Sequence, residues 1–112
     1  MSTVFGRLLD WWRRRKRSVS YSKIMYVSSM TDVPSDLRKN IYIVEREGTK
    51  KWAVMKCPCG KTTRVEVNLM KSKRPYWEIR VTEKGVSLHP SVVVSGNCNC
   101  HFWLKDNKGV LV

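Results

Sequence analysis

Acidic residues are scarce in this chain. Nine Asp and Glu face 22 Lys and Arg, which leaves a formal charge of +13 over 112 residues. A surface so unbalanced attracts polyanions at long range. Nucleic acid, anionic lipid and acidic protein faces therefore stay open as partners. Long apolar runs are missing too. No stretch approaches the ~20 apolar residues that cross a bilayer. A secretory signal places its positive residues before a short apolar run. Here "VFGRLLDWW" comes first and "RRRKR" follows. The expected location is the cytoplasm, peripheral to a membrane at most, with thiols reduced, which favours metal over disulfide. Histidine is limited to His89 and His101, and there is no H-E-x-x-H, no H-x-E with C-x-x-C and no Gly-rich phosphate loop. The familiar catalytic-zinc and phosphate-binding motifs are thereby excluded. The resulting expectation is a binding protein, not an enzyme, with no small-molecule substrate.

What is present falls into two parts. Val4, Phe5, Leu8, Leu9, Trp11 and Trp12 occupy an arc of roughly 160° at ~100° per residue, which predicts an amphipathic helix. Arg13, Arg14, Arg15, Lys16 and Arg17 end it in positive charge, as the helix dipole favours. "SVSYS" (18–22) reads as a linker, so residues 1–22 form a basic N-terminal segment. From residue 23 to 112 short runs rich in Val, Ile, Tyr and Trp predict a mainly β (or α+β) domain. It is expected as a small mixed antiparallel sheet with zinc-ribbon-like metal turns. In "TTRVEVNL", Val65, Val67 and Leu69 alternate with Arg64, Glu66 and Asn68, giving one buried and one wet face. "DNKG" (106–109) predicts a terminal hairpin, and "DVPSDLRK" has room for one helical turn.

Two turns carry the chemistry. "CPCG" holds Cys57 and Cys59; "NCNCHFW" holds Cys98, Cys100 and His101. Thiolate and imidazole suit Zn²⁺, and a filled four-ligand shell is structural. Placement in turns beside a histidine favours metal over four small apolar core residues. Five donors compete for four places. The C-x-x-H spacing favours Cys57, Cys59, Cys98 and His101, with Cys100 spare, because adjacent ligands point apart on an extended strand. The four cysteines with His101 outside form the alternative set.

The order "CPCG", "YWEIRV", "VSLHPSV" and C-x-x-H-F-W resembles a family of small bacterial metal-binding proteins of unknown function, over about residues 23–112. The resemblance implies metal held by Cys57, Cys59, Cys98 and His101, with Cys100 where that family usually has Ser. It also implies an association with ubiquitin-like modification genes and with mobile or defence loci. His89 lies in "SLHPS" between Ser87 and Ser91. That stretch reads as a turn, with Ser91 bonding backbone.

The charge admits three uses. The N-terminal helix can lie on an anionic membrane surface. Its basic end, with Lys71, Lys73 and Arg74, can contact nucleic acid backbone. Its apolar face, Phe5, Leu8, Leu9, Trp11 and Trp12, can meet a protein partner. The reading that follows is an accessory zinc protein recognising a protein partner in a ubiquitin-like or defence system, with nucleic acid as the alternative.

Overall fold

Ten short strands and one 3-10 turn make up residues 18–96 and 98–112, the part of the chain that the computed structural model describes. In chain order the strands are β1 (Ser18–Ser20), β2 (Ile24–Val27), β3 (Ile41–Arg46), β4 (Thr49–Lys56) and β5 (Arg64–Asn68). Then come β6 (Glu78–Thr82), β7 (Gly85–His89), β8 (Val92–Val94), β9 (Cys100–Lys105) and β10 (Lys108–Leu111). The helix expected at the N-terminus lies outside the described residues. So do Phe5, Leu8, Leu9, Trp11 and Trp12, with Arg13, Arg14, Arg15, Lys16 and Arg17. Among the described residues no helix is long and apolar enough to cross a membrane.

The fold is mainly β, but it holds three sheets where one was expected. One runs β1-β10-β9-β8, a second β2-β3-β4-β5, and β6 with β7 forms a separate hairpin. Every pairing is antiparallel except β2 with β3. The reason for several sheets lies in β3. Its run Ile41, Tyr42, Ile43 and Val44 is buried at every position, so both faces of the second sheet are covered. Ile41 and Ile43 enter the main core with Ala53, Met55, Val67, Val86, Phe102 and Leu104. Tyr42 and Val44 join Val33, Leu37 and Val54 in a smaller cluster on the opposite face. The helical turn appears at Met30–Asp32, slightly upstream of its expected place, capped by Ser29, whose side chain accepts from the Thr31 N–H.

Turn chemistry sets the hairpins. Asp106 and Asn107 both have positive φ, 49° and 65°, as a two-residue type I′ turn demands. This turn docks on β7. Asn107 Oδ1 accepts from the Val86 N–H at 2.7 Å, and its N–H donates to the Val86 carbonyl at 2.9 Å. A Cβ on Gly85 (φ 126°) would lie 2.5 Å from Asn107 Cγ, so this position needs glycine. Ser18–Ser20, expected as linker, is instead the edge strand β1 paired with β10. Tyr21 just beyond is buried, and its hydroxyl donates to the Lys56 carbonyl. Sequence reading missed this because an edge strand of three residues carries no periodic signal.

Candidate functional site

The connection from β4 to β5 is tied by the Cys57 N–H to the Thr63 carbonyl at 2.9 Å. It presents Cys57 and Cys59. The connection from β8 to β9 presents Cys98 and Cys100. The four Sγ atoms all lie within 4.8 Å of one another, and none is in a disulfide. Four thiolates around a tetrahedral zinc at ~2.3 Å would sit about 3.8 Å apart, so a small contraction converts this cluster into a metal shell. The donor set therefore fits a metal ion. Cys57 and Cys98 are buried, Cys59 and Cys100 partly so. Burial pushes the Cys57 thiol well above its usual range. At Cys59 burial acts in the same upward direction, but bonds from the Lys61 backbone and the neighbouring thiols outweigh it and bring the group down to about 7. One thiol of the cluster thus ionises readily, the form a metal takes. Pro58 is wedged over Gly109, where a Cβ would meet its ring at 3.0 Å, with Tyr21 alongside. Burial and the nearby Cys57 and Cys59 charges raise the Tyr21 phenol.

His101, expected as the fourth ligand, is not in this cluster. The cause is the phase of β9. Cys100, Phe102 and Leu104 turn inward, while His101, Trp103 and Lys105 are exposed. Neighbours on a strand point to opposite faces, so one of Cys100 and His101 must leave the thiols. The strand phase sends Cys100 in and His101 out.

On the outer face His101 meets a different partner. Its Nε2 lies 2.6 Å from Ser91 Oγ. Val93 is directly opposite His101 in the β8–β9 ladder, and Ser91 is two residues before Val93, hence on the same face and diagonal to the imidazole. Ser91 is thus not the backbone-bonding turn residue expected. Its carbonyl accepts from Trp77 Nε1 at 3.1 Å. Trp77 in turn leaves a loop built around Asn68, the one buried polar side chain of the described core. Asn68 Nδ2 donates to the carbonyls of Met70, Lys73 and Pro75, and its Oδ1 accepts from the Met70 N–H. That loop carries Lys71, Lys73 and Arg74, all exposed. The His89 ring lies 6.2 Å from that of Trp103, tilted by 33°. A serine hydroxyl against an imidazole is the working unit of nucleophilic acyl transfer, the ring accepting the proton as oxygen attacks. Register and alternation together could have signalled it, had the β8–β9 pairing been known.

No curated protein and no solved structure matches the chain. A family model described as "Bacterial ubiquitination-like system serine protease (BubE)" matches residues 28–112. That description agrees with the expected link to ubiquitin-like systems; metal is no part of it. It overturns the expectation that the protein is not an enzyme. That expectation rested on the absence of zinc and phosphate motifs and on His101 as a metal ligand, which left Ser91 without a base. The match spans β3 to β10, both thiol-bearing turns and the serine–histidine pair, and the chain belongs to the BubE family of bacterial ubiquitination-like system serine proteases.

Proposed function

We propose that the protein is a serine peptidase in which Ser91 is the nucleophile and His101 the general base. The carrying observation is the 2.6 Å contact between Ser91 Oγ and His101 Nε2. In the first half-reaction Oγ attacks the scissile carbonyl carbon as its proton passes to Nε2. The imidazolium then protonates the leaving amine as the C–N bond breaks, leaving an acyl group on Ser91. Water, deprotonated by the same imidazole, releases the acyl group as a carboxylate and restores the hydroxyl. The Trp77 indole holds the Ser91 carbonyl, which limits backbone motion of the nucleophile.

Cys57, Cys59, Cys98 and Cys100 are proposed to hold a zinc ion. Bound there, zinc closes the two turns and does no chemistry on substrate. Because Cys100 precedes His101 on β9, the thiol cluster anchors the strand that presents the base. The substrate proposed is a ubiquitin-like protein or its conjugate, supported by the family description. The test is intact-mass analysis after incubation with a small fluorophosphonate. One adduct is expected on Ser91, absent from Ser91→Ala. A wild-type protein that takes no adduct refutes the assignment.

A further inference from the structure

A cleft of about 650 Å³ is lined by Arg74, Pro75, Tyr76, Glu78, His89 and Pro90, the last of these the residue before Ser91. Pro90 is joined directly to Ser91, and His89 is two residues before it, so the cleft wall runs in sequence into the nucleophile. Pro75, Tyr76 and Pro90 give it flat apolar walls. One wall is rigid for a reason already visible. Asn68 gathers the carbonyls of Met70, Lys73 and Pro75, and Trp77 clamps the loop's far end to Ser91. A loop that merely connected β5 to β6 would not need a buried amide with four bonds.

The charge of this wall is one-sided. Between Leu69 and Trp77 the chain carries Lys71, Lys73 and Arg74 and no acid. All three are exposed, and among the described residues none of them pairs with a carboxylate. Arg74 lining an apolar slot, with Lys71 and Lys73 on the same loop, favours an extended peptide that is apolar where it meets Tyr76 and Pro90 and acidic where it meets Arg74. Glu78 also lines the cleft, so an acidic substrate side chain is drawn to Arg74 and repelled by this carboxylate.

We infer that this cleft is the specificity site of the peptidase, and that it selects a substrate segment bearing an acidic side chain next to the scissile bond, read by Arg74. The inference rests on the Ser91–His101 assignment, and its test separates the two. Internally quenched decapeptides carry Glu, Leu or Lys at one position at a time around a fixed apolar core. They are digested by wild type and by Arg74→Glu, and wild type is labelled in parallel with the fluorophosphonate. Wild type should cleave a Glu peptide about tenfold faster, in kcat/KM, than its Lys counterpart at low salt, with the preference shrinking as salt rises. Arg74→Glu should reverse the order and gain on the Lys peptide, which a merely unfolded variant cannot do. Labelling of Ser91 with cleavage indifferent to charge, with no cleavage of any Glu peptide, or with an unchanged preference in Arg74→Glu overturns the cleft inference alone. Absence of labelling removes the serine–histidine pair and the cleft inference with it.

Discussion

Replacing His101 by Ala separates the two roles open to this residue. His101 is exposed on the outer face of β9, and among the described residues its one side-chain bond is to Ser91. Its removal opens no core cavity, and Ser91 Oγ can turn to water. The stability cost is then that of one solvent-accessible hydrogen bond, about 0.5 kcal/mol. For a domain of this size that lowers the melting midpoint by about 2–3 °C. The thiol cluster does not include His101, so metal content should not change. Activity should fall by at least ~10³-fold, because nucleophile and base act as a unit. Three assays on one preparation settle it: native mass spectrometry for bound zinc, calorimetry for the midpoint, and peptide cleavage for rate. A variant that loses its metal, or melts more than ten degrees lower, would mean that His101 is a ligand after all. A variant that cleaves at the wild-type rate would leave Ser91 without a catalytic partner.

Cys100→Ser is the mirror experiment. It removes one of four thiols from the site proposed to hold zinc, and structural zinc in zinc-finger peptides is worth about 10–16 kcal/mol. Zinc affinity should drop by at least ~100-fold, with activity falling in step as β9 loosens at His101; full metal retention in a competition titration with a chelator would contradict the cluster. Phe102 and Trp103 test the strand phase that sets both sites. Phe102 is fully buried and Trp103 is 44% exposed, so urea denaturation should show Phe102→Ala losing about 3–5 kcal/mol, and Trp103→Ala well under half of that. Equal losses would place β9 in the wrong phase.

Local patterns reached most of the secondary structure. Alternation in "TTRVEVNL" predicts a strand with Val65 and Val67 inside, and β5 buries both. The polar "DNKG" after "HFWL" predicts the β9–β10 hairpin, because residues tolerant of positive φ are needed at its turn. The two cysteine-bearing turns are also legible, as Pro and Gly interrupt the β-rich runs beside them. These features depend on neighbours in the chain, and neighbours are what a sequence displays.

The division of labour between Cys100 and His101 is of another kind. A strand starting one residue later would exchange them, since every side chain changes face with a shift of one. The packing of Phe102 and Leu104 into the shared core decides that phase, and no local signal in "NCNCHFW" does. The Ser91–His101 contact likewise depends on the β8–β9 register, which is set by the length of the connection and by which valines of β8 are buried. Spacing alone pointed to a set able to hold a metal among five donors. Only the tertiary structure could allot four thiols to one face of β9 and give the imidazole, on the other, to a serine ten residues away.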